Sequence, residues 1–357
     1  MLLPLAVAAI VLLGSSFYGA LRYKRFKQYA MFPQMPTSLV LGHLKTFDRF
    51  IRTGKPNGHP DLAFAAMNEA LGRPPLMFVD LRPFGPPMVV VRSHQVAEQI
   101  SKASKSFPYS LPKMEQVYSH MVHVTGPTSI LGADGEDWKV LRRRYNPGFA
   151  PQHLITFLPR IVEKALVFVD RLEQFAQDDE IFSLVFHCGN LTLDVISSVV
   201  MDFDFGAQDK DHPGEFIRTY HELFETYARE QMDLPWFFTP RTEWKRRGLA
   251  KRIKRTLREI VRNAFDKRQT DSIKSRSVLS LSLQDIDTLT PRAVDEACDQ
   301  LSTFLFAGHD TTSILLSWVF YELSRTPHAL KALREESDSI FGPGECIVLT
   351  SYKMEVG

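Results

Sequence analysis

The feature that most constrains the fold lies late in the chain. Thr290 and Pro291 supply a helix start, a capping hydroxyl followed by the one position where proline is tolerated, and the helical pattern then runs on to about Ser324. At 1.5 Å per residue such a helix is roughly 50 Å long. Phe304, Leu305 and Phe306 precede its centre, and Ile314, Leu315, Leu316 and Trp318 follow. A helix apolar on every side is a buried helix, so other helices must wrap it. Thr326-Pro327 then starts a further helix that stops at Gly342-Pro343-Gly344.

The centre itself breaks the apolar pattern, reading Ala307-Gly308-His309-Asp310-Thr311-Thr312. Glycine inside a helix costs about 1 kcal/mol, and with Ala307 it leaves a shallow trough where a flat ligand could lie. Thr311 is placed to bond the Ala307 carbonyl, and Thr312 that of Gly308, a competition that bends or opens a helix. An opened carbonyl ladder holds a water or a small diatomic molecule. Asp310 would be a costly buried charge unless bonded or wetted, which makes it a candidate proton carrier. The plainer reading is a core helix with a satisfied polar kink.

A second stretch carries chemistry. On a helix from Asp137, Trp138 and Arg142 stand one turn apart on one face, so an indole N–H and a guanidinium converge on one anion. Surface packing explains such a pair equally well by itself.

At 357 residues, 44% hydrophobic and 24% charged, the chain can bury a large core. Its 43 basic residues nearly match 41 acidic ones, which gives no general case for nucleic acid. The basic run from Lys245 to Arg255 is interleaved with Leu249, Ile253, Ile260 and Val261 at helical spacing, the pattern of a solvated face on a packed helix; no nucleic-acid partner is expected. Cys188, Cys298 and Cys346 are too scattered for a disulfide framework or a metal cluster.

At the other end, Leu2 to Leu21 is apolar and long enough to cross a hydrocarbon core of roughly 30 Å. Arg22, Lys24, Arg25 and Lys27 follow. Residues 1–21 read as a single-pass transmembrane anchor with the bulk of the chain on the cytosolic side, the competing reading being a cleaved signal peptide, which would want charge ahead of the apolar run and a clean cleavage site; 22–45, with Pro33 and Pro36, read as a basic stop and proline-rich hinge. Leu76–Leu81 and Met88–Arg92 read as a β-hairpin, with Ser93 capping the next helix. Phe107–Gly132 shows little periodicity and reads as an irregular cavity cover, and Thr270–Thr290 as a polar, mobile connection. Residues 150–268 are mostly amphipathic helix.

Ala307-Gly308-x-Asp310-Thr311-Thr312 in a long helix resembles the oxygen-activation motif of the cytochrome P450 superfamily, the haem-thiolate monooxygenases. Trp138-x-x-x-Arg142 followed by Pro147-x-Phe149 resembles that family's haem-propionate clamp. Leu191–Ile196 and the run from Tyr321 to Gly344 are similar to it as well. The resemblance implies a mainly α fold with a small β-sheet and haem b. It implies electrons from an NADPH-dependent reductase, a lipophilic small-molecule substrate, and location at the endoplasmic reticulum membrane. Trp138 and Arg142 would hold propionates, Ala307 and Gly308 would border the oxygen site, and Asp310 with Thr311 would deliver protons.

The likeness breaks near the end. Glu322-x-x-Arg325, and Phe341-x-x-Gly344 with Cys346, imitate elements that lie further along in the family, and Cys346 has neither the arginine before it nor the glycine after it at the required spacing. A haem iron needs its axial thiolate to cleave an O–O bond. Residues 46–344 are therefore expected to form a partial catalytic domain, incomplete at its C-terminus, with 345–357 unmatched and no oxygenation by the chain as given. The alternative is a catalytically dead, membrane-tethered binding or regulatory remnant.

Overall fold

The computed structural model describes residues 2–56, 58–106, 108, 111–209, 214–228, 239–270 and 276–342. The chain divides into two compact units at Leu111 and Pro112. Among the described residues it is mainly helical with one two-stranded sheet, as expected.

The first unit holds α1 (Leu2–Phe26), α2 (Leu44–Thr53), α3 (Pro60–Ala70), β1 (Leu76–Asp80), β2 (Pro87–Val91) and α4 (His94–Ser101). The strands pair antiparallel from Leu76 opposite Val91 to Asp80 opposite Pro87. Met77 and Val79 share one face of β1, by the two-residue period of a strand, and pack with Met35 and Met67 into a small core. Phe78 points the other way and meets the Tyr29 ring at 4.6 Å. Ser93 caps α4 by accepting the Val96 N–H.

Within this unit the segment read as a hinge is tied down. The Pro33 carbonyl accepts the Phe78 N–H at 2.8 Å. Buried His43 donates from Nε2 to the Met35 carbonyl at 2.7 Å and accepts the Asp80 N–H on Nδ1 at 2.8 Å. Arg22, Lys24 and Lys27 are exposed, but Arg25 is not part of a solvated stop. Its guanidinium donates to the Leu39, Val40 and Arg82 carbonyls and pairs with Asp80 at 2.6 Å. Prolines stiffen this segment locally; the buried charge pair that fixes it joins residues far apart in sequence.

The second unit holds α5 (Glu115–Thr125), α6 (Gly135–Tyr145), α7 (Pro151–Leu154), α8 (Leu158–Asp178), α9 (Leu184–Met201), α10 (Glu215–Ala228), α11 (Pro240–Thr270), α12 (Val278–Ser282), α13 (Pro291–Arg325) and α14 (Pro327–Phe341). The long helix is α13. Thr290 caps it, its hydroxyl accepting the Ala293 N–H at 3.2 Å. It packs chiefly along α9, with α5 and α11 also against it. Leu301 and Leu305 of α13 join Leu193 and Val200 of α9 and Leu257 and Val261 of α11 in the main core. By length and apolarity α9 could span a membrane, but most of it is buried inside the fold, so it serves as a core helix.

Two stretches without clear periodicity contain helices. The irregular 107–132 stretch includes α5, and the polar connection 270–290 includes α12, whose Val278 and Leu279 are buried. Both helices are short, and a few turns give the sequence pattern too little length to stand out. After α5, Gly126 takes φ +80°, and a Cβ there would lie 2.3 Å from the Asp299 carboxylate. That carboxylate accepts the Thr128 N–H and hydroxyl and pairs with Lys254 at 2.8 Å, pinning the loop after α5 to α13 and α11.

The basic run forms part of α11, with Leu249, Ile253, Ile260 and Val261 buried as their spacing predicts. Part of its charge is matched within the protein, by Lys245 with Glu222, Arg252 with Glu215 and Lys254 with Asp299, each at 2.8 Å.

Candidate active site

The centre of α13 sorts its motif onto different sides. Ala307 and Thr311 lie on an exposed face that continues through Leu315 and Trp318, 62% and 59% exposed. The helix expected to be apolar and buried throughout is thus exposed on one face beyond Leu305, while His309 and Ser313 on the opposite side stay buried, leaving an apolar strip one helix face wide. On that strip the Thr311 hydroxyl donates to the Ala307 carbonyl at 2.7 Å, as the spacing predicts. The matching bond from Thr312 to Gly308 does not form; Thr312 is exposed.

Gly308 serves packing rather than the strip. A Cβ there would stand 2.5 Å from Cγ1 of Ile196, so only glycine lets α9 and α13 approach this closely. His309 turns inward and is 8% exposed, with its ring edge-on to Tyr220 and Phe224 of α10 at 5.6 and 5.7 Å. Burial, and then the nearby His221, bring its imidazole from 6.5 to about 4, so it is neutral at physiological pH. Asp310 is half-buried, and burial pushes its carboxyl above the ordinary aspartate range. It holds a proton more readily than a surface aspartate does.

His309 has a measurable consequence. In the unfolded chain it takes up a proton below about 6.5, whereas in the fold it resists protonation down to about 4. The unfolded state therefore binds more protons in that window, and stability falls as pH drops through it. His309→Gln is expected to make this acid slope shallower in denaturant titrations between those pH values. Other depressed histidines, His187 and His221 among them, keep it from vanishing. An identical slope in the variant contradicts the burial of a neutral imidazole.

Trp138 and Arg142 lie on α6 as expected, both exposed, with the guanidinium 5.8 Å from the indole ring centre. Arg142 forms no ion pair among the described residues, so its donors are available to an anion, unlike Arg144, which pairs with Glu296 of α13. The buried side of α6 joins it to α13, since Tyr145 and, just beyond it, Phe149 meet the Phe304 ring edge-on at 5.2 and 5.0 Å. Phe304 lies one turn before Ala307. A cleft of about 880 Å³ lined by Arg160, Asp202, Lys267 and Arg276 includes no residue of α6 or α13 and is a separate feature.

The sequence profile of the cytochrome P450 family matches residues 39–354. The chain belongs to this family. It is 30% identical over 295 residues to cytochrome P450 monooxygenase acrF of Aspergillus aculeatus, an overlap covering 80% of this chain and 56% of that protein. It is 27% identical over 363 residues to cytochrome P450 monooxygenase polC of Polytolypa hystricis, covering 95% of this chain and 62% of that one. The crystal structure of the cytochrome P450DA heme domain matches with a TM-score of 0.66 at 19% identity, covering 88% of this chain and 64% of the other. At that identity the likeness is one of fold. The chain spans less than two thirds of each of these relatives.

One side of a P450 haem site fits the residues present. The exposed strip of α13 suits a flat apolar face, and Arg142 beside Trp138, with no ion pair among the described residues, suits an anionic edge. The other side needs a thiolate, and neither described cysteine fits. Cys188 and Cys298 are fully buried, and burial raises both thiols, Cys298 to about 12. Cys346 and the segment Met232–Phe238 lie outside the described residues.

Sequence reasoning missed the environment of His309. Its contacts come from α9 and α10, and nothing local in the motif marks which neighbouring helix carries the partners. A run such as Gly189-x-x-Thr192-x-x-x-Ile196, small and hydroxyl residues on one helical face, is the signal available.

Proposed function

We propose that the protein belongs to a haem-thiolate monooxygenase reaction. In it one oxygen atom of dioxygen enters a lipophilic small molecule, such as a secondary metabolite, with electrons from an NADPH-dependent reductase. The observation that carries this reading is the Thr311 hydroxyl bonded to the Ala307 carbonyl on an exposed apolar strip, next to an aspartate whose proton affinity is raised. The fungal relatives named as monooxygenases support it.

Haem b, when bound, supplies oxygen binding and activation. Trp138 and Arg142 would hold its propionates. Ala307 leaves room at the helix surface, and Gly308 acts indirectly, by seating α13 on α9. The Thr311 hydroxyl donates its hydrogen bond to the Ala307 carbonyl, so its oxygen would accept one from a water molecule and orient it. Asp310 would pass its carboxyl proton to that water and regain a proton from solvent.

Membrane attachment belongs to the same proposal. On α1, Ile10, Val11, Leu12, Leu13 and Phe17 are exposed, and Arg22, Lys24 and Lys27 follow on the exposed surface. This suits a single-pass anchor in the endoplasmic reticulum with the remainder in the cytosol.

A second reading has one observation in its favour. Neither described thiol suits an iron ligand, which fits a membrane-tethered binding or regulatory remnant without oxygenase activity. The reduced carbon monoxide difference spectrum separates the two after expression with excess haem. A thiolate-type Soret band, together with NADPH-dependent incorporation of label from ¹⁸O₂ into an extracted lipophilic product, supports the monooxygenase. No such band and no label support the remnant.

A further inference from the structure

The helix that carries the acid and hydroxyl is held from the side by a residue outside the motif. Gly308 lets Ile196 approach α13 at a distance no other residue would allow, and Gly189 of α9 lies under the His309 ring, 3.4 Å from Nε2 at its would-be Cβ. With the helices this close, the buried Thr192 hydroxyl of α9 reaches the His309 backbone carbonyl at 2.9 Å. It also lies within 3.0 Å of the Cys188 carbonyl and 3.1 Å of the Gly189 carbonyl on its own helix. A threonine hydroxyl has a single proton to give, and His309 is the nearest of the three acceptors and the only one on another helix.

The neighbouring carbonyls are engaged as well. Thr311 bonds the Ala307 carbonyl, and the Ser313 hydroxyl donates to that of Asp310 at 2.8 Å. Side-chain hydroxyls therefore act on the carbonyls of Ala307, His309 and Asp310, all within one turn, and two of the donors sit on α13 itself. Among the described residues, Thr192 alone hydrogen-bonds that turn from another element. His309 is consequently held at both ends, its ring by Tyr220 and Phe224 and its carbonyl by Thr192. Asp310 and Thr311 follow it directly in the chain.

We propose that Thr192 is a positioning residue for Asp310 and Thr311. By holding the His309 carbonyl from α9, it keeps the turn that carries them in one place on the exposed strip while the local helix bonding is weakened by competing hydroxyls. This rests on the proposed oxygen chemistry for its purpose but not for its geometry. The competing role is packing alone, in which the methyl group matters and the hydroxyl does not.

Thr192→Val keeps the shape and removes the hydroxyl; Thr192→Ser keeps the hydroxyl and removes the methyl. In the full chain, amide hydrogen exchange across residues 309–314 is expected to quicken about tenfold in Thr192→Val, the scale of one lost hydrogen bond, and to return toward the parent rate in Thr192→Ser. The Asp310 titration, followed by carbon-13 NMR of its carboxyl, is expected to move toward the ordinary aspartate range in the valine variant only, as the loosened turn admits water. Unchanged or slower exchange in Thr192→Val, equal changes in both variants, or an Asp310 titration that does not move overturns the proposal. Neither readout needs haem or substrate, so failure of the proposed oxygen chemistry would show in Thr311→Ala turnover instead and leave these two results standing.

Discussion

Asp80→Asn is expected to destabilise the first unit by about 3–5 kcal/mol, the cost of leaving a buried charge without its partner. Asp80 and Arg25 are 2% and 3% exposed at their side chains, so water cannot take over when the carboxylate is neutralised. The asparagine keeps the shape, which assigns the loss to charge rather than volume. Arg82 also pairs with Asp80, at 2.7 Å, but it is partly open to solvent and loses less. Replacing Arg25 by methionine in the same chain is expected to recover part of the loss, because no buried charge then lacks a partner, although the Leu39, Val40 and Arg82 carbonyls lose their donor. Protease nicking of residues 36–43 against urea concentration measures both variants. A single variant no weaker than the parent contradicts the account of the tie.

The same carboxylate sets a pH limit. Burial alone would raise it, but the Arg82 and Arg25 guanidiniums outweigh burial and bring it from 3.8 to about 2. A depressed carboxyl contributes stability that is fully present above about 3.8 and is lost as pH falls through about 2. Asp80→Asn should therefore lack that part of the acid limb.

Much of α13 was legible because its ends carry local chemistry, Thr290-Pro291 at one and Thr326-Pro327 at the other, and its interior carries a long periodic signal. The Thr311 bond to Ala307 follows from spacing along one helix, and so does the Trp138–Arg142 pair. What could not be read depends on partners distant in sequence. Gly308 looks like part of a ligand trough until Ile196 is seen to occupy its missing Cβ. Arg25 looks like one more cation after an apolar run until Asp80 is found beside it. The exposed half of α13, from Ile314 to Tyr321, reads as core by composition, because composition does not record which faces neighbours cover.

The central claim is that Asp310 supplies protons, through a water oriented by Thr311, during oxygen chemistry on the strip of α13. The most direct test compares the coupling of NADPH use to oxygenated product in haem-loaded protein completed with the C-terminal region of a P450 relative and supplied with reductase, with Thr311→Ala and Thr311→Ser against the parent. Losing a positioned proton carrier costs on the order of 10²-fold or more, so Thr311→Ala should go on consuming NADPH while product falls by about that factor and hydrogen peroxide rises. Thr311→Ser, which keeps the hydroxyl that bonds the Ala307 carbonyl, should retain most of the coupling. Parent-level coupling in Thr311→Ala would contradict the role given to this hydroxyl and, with it, the central claim.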